Sequence, residues 1–253
     1  MPVITPARIE VAESARFNLA AADYLVKTVL DPLTAAGEQY RLLRSKLAQM
    51  QKERGIKIVL VTSSVPFEGK TFTACCLAGV IGLEPGKRVL LIDADLRKAT
   101  VPKELGMNGD GPAQGLMQVL RGERSAEEVL LKGTEGEFYL LPAGPVPEDL
   151  AELLSSILLE RTIKSLAPNF DWVIIDSPPV MSMADATIIA PLCDAVLLVV
   201  HLEKTSAKVI RKAIQQIGQS RICGVVLNRG RHLEQPRYYY RYYHKDARGR
   251  IRS

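Results

Sequence analysis

Six short aliphatic runs, apolar on both faces, constrain the fold of this 253-residue chain more than any other feature. They are IKIVLVTSS (56–64), RVLLIDAD (88–95), FYLLPAG (138–144), DWVIIDS (171–177), DAVLLVVH (194–201) and ICGVVLN (222–228). A strand with one wet face alternates polar and apolar side chains; these do not, so both of their faces must be covered. Helical patterns fill the gaps at 69–82, 114–131 in two pieces, 148–167, 184–191 and 204–219. Strand and helix in alternation predict an α/β fold with a doubly wound, mostly parallel sheet and right-handed crossovers. Upstream, EQYRLLRSKLAQMQKERG (38–55) sets Tyr40, Leu43, Leu47 and Met50 on one face at helical spacing and stops at Gly55, which predicts a docking helix.

The chain divides into three parts. Residues 1–34 read as an arm with weaker patterns, interrupted by Pro2, Pro6 and Pro32; 35–228 read as the domain; 229–253 read as a tail. After Asn228 the apolar periodicity stops, so the tail is expected to be disordered unless bound. Charge follows the same division. The tail has eight Lys or Arg against Glu234 and Asp246, a net +6; the whole chain is +5, which leaves −1 for everything before it. Five of the eight tyrosines, Tyr238, Tyr239, Tyr240, Tyr242 and Tyr243, crowd this segment. No apolar run approaches the ~20 residues of a membrane span, and MPVITPARIEVAES has no signal-peptide block, so a cytoplasmic location is expected. Cys75, Cys76, Cys193 and Cys223 form no Cys-x-x-Cys pair and lie in apolar stretches, which suits buried, reduced thiols.

Directly after the first run, SVPFEGKTFTACCLAGV joins a strand to an apolar helix through Gly-Lys-Thr. That is the setting of a phosphate loop, in which backbone N–H groups and a helix N-terminus cradle phosphates, a lysine reaches the β and γ phosphates and a hydroxyl meets Mg²⁺. The strict pattern departs at its first position, which is Ser64. LLIDADLRK puts Asp93 and Asp95 at the mouth of the second strand, and VIIDSPP puts Asp176 at the mouth of another. The carboxyl ends of parallel strands share one rim, where ligands bind. Mg²⁺ takes oxygen ligands, so Asp176 is its natural partner, directly or through water, and Asp93 or Asp95 remains as a base.

These motifs resemble the bacterial tyrosine kinases (BY-kinases) of polysaccharide synthesis and export, relatives of the MinD and ParA type ATPases. VTSSVPFEGKT is similar to their Walker A motif, LLIDADLRK to Walker A′ and VIIDSPP to Walker B. LPAGPVPEDLAELLSS (141–156) resembles the segment after the middle strand, and a C-terminal tyrosine cluster is a family hallmark. The likeness runs from about residue 31 to 243. It implies a P-loop NTPase fold with ATP and Mg²⁺ as cofactors. Around the nucleotide it implies Pro66, Phe67, Glu68, Gly69, Lys70, Thr71 and Phe72, with Arg97 and Asn228. Lys70, Asp93 and Asp95 would be catalytic, and Thr71, Asp93 and Asp176 would hold the metal. EQYRLLR resembles the family's ring-assembly motif, which makes Glu38, Arg41 and Arg44 interface residues.

By the same resemblance the chain is expected to phosphorylate its five tail tyrosines in trans within a ring homo-oligomer. It would thereby regulate exopolysaccharide or capsule polymerisation or export. The implied partners are a separate transmembrane activator that recruits it to the inner face of the membrane and a cognate tyrosine phosphatase. Geometry alone leaves cis and trans open, since Tyr238 lies ten residues beyond Asn228 and reaches at most ~35 Å. Where the family has glycine, this chain has Phe67; a positive φ there would cost about 1–2 kcal/mol. Weaker nucleotide binding or a catalytically silent scaffold therefore stays open. A MinD or ParA type ATPase switch shares the phosphate chemistry but gives the five tyrosines no role. A single-strand nucleic-acid module would suit the Arg and Tyr of the tail but leave the three aspartates idle, so no nucleic acid is expected.

Overall fold

The computed structural model describes residues 15–22, 24–31, 33–107, 112–145 and 157–230, together with Ile9 and Val11. All six apolar runs are strands of one sheet: β2 (Ile58–Ser63), β3 (Val89–Asp93), β5 (Phe138–Leu141), β6 (Trp172–Asp176), β7 (Ala195–His201) and β8 (Ile222–Asn228). Two short strands, β1 (Arg16–Phe17) and β4 (Leu131–Gly133), complete the order β1-β4-β5-β3-β6-β2-β7-β8. Every pairing is parallel except β4 with β5.

The lack of polar alternation has a direct structural counterpart. Leu60, Leu90, Ile92, Val173 and Ile175 point to one face, where they pack with α5 (Leu116–Leu120), α6 (Ile157–Leu166), α7 (Asp185–Ile189) and α8 (Ala207–Ile217). Their neighbours Val59, Val61, Val89, Leu91 and Ile174 point to the other, beneath α1 (Tyr24–Leu30), α2 (Ala35–Arg54), α3 (Lys70–Gly82) and α4 (Val101–Glu104). Truncating a fully buried member such as Leu77 costs about 2–5 kcal/mol in cores of this kind.

The docking helix is α2. Thr34 caps it by accepting the Gly37 N–H at 3.0 Å, and Gly55, at φ 72°, ends it by donating to the Gln51 carbonyl at 2.9 Å. Leu47 is buried against α3's core, with Tyr40, Leu43 and Met50 partly so.

The sequence reading lacked β1 and β4, which are two and three residues long and too short to show a period. The described part of the segment set apart as an arm packs into the same core: Phe17, Leu19, Val26 and Val29 are buried, and the Phe17 ring meets Phe138 edge-on at 5.3 Å. Of the helix expected at 148–167, the described part is α6; residues 146–156 and the tail from 231 onward lie outside the described residues. Among the described residues no helix is long and apolar enough to cross a membrane.

Candidate functional site

The loop between β2 and α3 is held in shape by contacts from far along the chain. Gly69, immediately before α3, has φ 92°, and a Cβ there would stand 2.1 Å from Asn228 Nδ2. Asn228, the last residue of β8, donates from that amide to the Glu68 carbonyl at 2.9 Å. The Glu68 side chain turns inward and is 1 % exposed. One carboxylate oxygen accepts the Val65 N–H at 2.9 Å; the other accepts the His201 N–H at 3.0 Å and the Thr205 hydroxyl. Glu68 thus shapes the loop with its side chain, a role the motif did not announce because two of its three partners lie 133 and 137 residues away.

Glu68→Ala leaves two backbone donors and a hydroxyl without an acceptor. The expected loss is about 3 kcal/mol of stability, read as a lower urea midpoint at unchanged slope.

Phe67 has φ 67°, in the left-handed region, and stands 75 % exposed. The backbone cost foreseen for a side chain at this position, about 1–2 kcal/mol, is therefore incurred. The Lys98 ammonium lies 5.0 Å from its ring centroid.

Lys70, Thr71 and the three aspartates converge. Asp93 and Asp176 end adjacent strands and sit opposite each other in register. Lys70 Nζ donates to Asp95 Oδ2 at 2.7 Å, lies 3.5 Å from Asp176 Oδ2, and reaches Thr71 Oγ1 at 3.0 Å. Thr71 Oγ1 in turn donates to Asp176 Oδ2 at 2.7 Å. Asp95 and Asp176 thus share one ammonium with Asp93 beside them, almost out of water: Asp93 and Asp176 are 0 % exposed and Asp95 5 %.

The titration behaviour follows from that arrangement. Burial pushes the Asp93 carboxyl well above the ordinary carboxylate range, with Asp176 and Asp95 adding to the effect. Burial likewise pushes Asp176 up to about 6, against the pull of Lys70 and Thr71. Burial alone would lower Lys70, but Asp176 and Asp95 outweigh it and the ammonium is held more tightly than usual.

Buried oxygens without a hydrogen-bond partner among the described residues include Ser64 Oγ, Asp93 Oδ2 and Asp176 Oδ1, all at this rim. Orphaned carboxylate oxygens in excess of local positive charge fit a hard divalent cation. No group of three or more His, Cys, Asp or Glu among the described residues could enclose a metal alone. That suits Mg²⁺, which takes one or two carboxylates and completes its shell with phosphates and water.

The other candidates are placed as follows. Arg97 engages Asp185, with Nε to Oδ2 at 3.0 Å; Asp185 is a buried residue at the start of α7 that the motif reading passed over. Phe72 lies on α3, its ring edge-on to Tyr40 at 6.1 Å. Pro66 lies in the loop itself. Glu38 and Arg41 form a surface ion pair at 3.1 Å. Arg44 turns toward α3, donating to the Val80 carbonyl at 2.8 Å and pairing with Glu84 at 3.2 Å, where its charge also suits the helix C-terminus. The five tail tyrosines lie outside the described residues.

A phosphate loop, a lysine on its helix and strand-end aspartates around a parallel sheet define a P-loop nucleotide-binding domain of MinD-like type. The AAA domain family profile matches residues 56–222, and the cell division ATPase MinD of Pyrococcus furiosus superposes with a TM-score of 0.57 at 28 % identity, over 68 % of this chain and 71 % of that one. Tyrosine-protein kinase YwqD of Bacillus subtilis is 35 % identical over 223 residues, 87 % of this chain and 92 % of YwqD. The kinase domain of the Escherichia coli tyrosine kinase ETK superposes with a TM-score of 0.73 at 26 % identity, over 91 % of this chain and 88 % of that one. The chain belongs to the bacterial tyrosine kinases. Full-length etk is larger, and the matched region, 30 % identical, is 27 % of its length.

Proposed function

We propose that the chain is an ATP-dependent tyrosine autokinase that phosphorylates Tyr238, Tyr239, Tyr240, Tyr242 and Tyr243, delivered in trans by neighbouring copies in a ring. One observation carries this reading: Lys70, Thr71 and the carboxylates of Asp93, Asp95 and Asp176 meet on one rim beside a phosphate loop. Mg²⁺, for which Thr71, Asp176 and Asp93 are the fitting residues, supplies neutralisation of phosphate charge when bound.

A phenol with pKa ~10 is a weak nucleophile at neutral pH and needs a base. Asp95 is the best placed of the three, being the least enclosed, while burial already favours the proton on Asp93. Lys70 moves its charge from Asp95 to the β and γ phosphate oxygens, and this frees Asp95. The phenolic oxygen bonds to the γ phosphorus, and the bond from that phosphorus to the bridging oxygen breaks. ADP keeps the electron pair, and the phenolic proton passes to Asp95. The loop's backbone N–H groups and the start of α3 steady the charge on the transferring group.

The tail begins on the correct side, because β8 ends at Asn228 against the loop. Its +6 suits an acidic site, and five phosphotyrosines at about −1.5 to −2 each reverse it to a net negative charge. Unmodified tails therefore hold the ring together and modified tails leave it. The α2 face with Glu38 and Arg41, and Arg44 beside it, is the proposed ring interface. A transmembrane activator recruits the chain to the inner membrane face, a phosphatase resets the tail, and the cycle regulates exopolysaccharide or capsule polymerisation or export.

The test is incubation with ATP and Mg²⁺ followed by mass spectrometry of residues 237–253. Phosphotyrosine on the tail is expected, and none in a variant with the five tyrosines changed to Phe. ADP release from the intact protein with an unmodified tail would instead establish an ATPase switch.

A further inference from the structure

We propose that Phe67, backed by Lys98, is the seat on which the acceptor's aromatic ring rests, and so a specificity-determining residue for tyrosine. The inference builds on the kinase reading above and adds a residue to it.

Phe67 is an expensive choice for its place. Its φ of 67° is one that glycine adopts freely and a side chain does not, and at 75 % exposure the ring recovers little by burial. Strain kept at the edge of a reactive site points to a use for the side chain there. The ring is also directed. The Lys98 ammonium stands 5.0 Å from its centroid, and Lys98 is tied to the catalytic carboxylate, since its backbone N–H lies 3.2 Å from Asp95 Oδ1 and 3.0 Å from the Asp95 carbonyl.

The sheet order gives the loop two flanks. β2, which feeds it, has β6 and β3 on one side and β7 and β8 on the other. Glu68 and Gly69 are tied to the second flank through His201, Thr205 and Asn228. Phe67 leans to the first, toward the Lys98 ammonium, and the Lys98 backbone N–H bonds Asp95. The acceptor oxygen has to come from that flank to bring its proton within reach of Asp95. Aromatic rings pair edge-on or offset at 4.5–7 Å, and an ammonium nearby favours ring faces, so an exposed Phe beside a lysine suits a phenol. A serine or threonine side chain has no ring to rest there.

The experiment uses the full chain with its five tail tyrosines changed to Phe, so that an added peptide spanning residues 234–246 is the sole tail acceptor. Phe67→Gly, Phe67→Leu and Phe67→Trp are compared in that background. Gly and Leu are expected to lower kcat/KM for the peptide about tenfold, mainly through KM, and Trp to restore it to within about threefold. The comparison is made at saturating ATP for each variant, because Phe67 lies in the phosphate loop, and Phe67→Gly should melt at a higher temperature, which separates the loss from unfolding. The seat is disproved if Phe67→Gly keeps its kcat/KM or if Leu serves as well as Trp. An intact wild-type chain that forms no phosphotyrosine would overturn the kinase reading, and the seat with it; an active wild type beside an unaffected Phe67→Gly overturns the seat alone.

Discussion

Lys70→Met is expected to lower tail phosphorylation by at least about 10³-fold, measured as phosphotyrosine formed per minute in saturating ATP and Mg²⁺. Among the described residues Lys70 is the one ammonium in contact with both Asp95 and Asp176, and its replacement removes the charge that would follow the γ phosphate during transfer. The same change leaves buried carboxylates without their counter-charge. Removing one partner of a buried ion pair costs on the order of 3–5 kcal/mol unless the other takes up a proton. The variant should therefore lose more stability at pH 8 than at pH 6, since the lower pH supplies that proton. Equal loss at both values would mean that Lys70 is not what neutralises the cluster.

Asp176→Asn is expected to have the opposite effect on stability with the same loss of activity. The fold holds the Asp176 proton up to about 6, against an ordinary carboxylate value of about 4, so the folded state prefers the neutral form. The contribution of this group is complete below about pH 4, where folded and unfolded chains both carry the proton. It is lost as pH rises through 6, where the fold must keep a buried charge. The difference is on the order of 3 kcal/mol, an upper figure because Asp93 titrates beside it. Asparagine keeps the shape and can still accept from Thr71 without the charge. In EDTA at pH 7.5 it should melt several degrees above wild type, and the gap should shrink toward pH 5. ATP with Mg²⁺ should raise the melting temperature of wild type but not of the variant. A variant that melts below wild type in EDTA would show that the aspartate charge stabilises the rim.

The central sheet was legible because Leu60 and Val61, or Leu90 and Leu91, serve two different cores, and a strand buried on both faces can only read as continuously apolar. Lys70, Thr71 and the aspartates were legible because strand-end position places them on one rim whatever the details of packing. Side-chain direction was not. The motif puts Arg97 and Glu68 near the phosphate, but Arg97 finds Asp185, 88 residues on, and Glu68 finds His201 and Thr205. Arg44 shares a charged helix face with Glu38 and Arg41, yet it reaches across to α3. Such choices depend on which buried donors and acceptors the finished fold leaves open, and local spacing carries no record of them. β1 and β4 escaped for a related reason: at two and three residues, each is a strand only because a neighbour is there to pair with it.

The inward turn of Glu68 also bears on when the loop can exist. Its anchors at 201, 205 and 228 are among the last residues of the domain to leave a ribosome, and until they arrive the end of the loop at Glu68 and Gly69 is untied, while Ser63 and Met181 hold only its start. The Glu68 tie is therefore missing while the first three quarters of the chain are being made. The loop takes its final shape only when synthesis has all but reached the tail tyrosines.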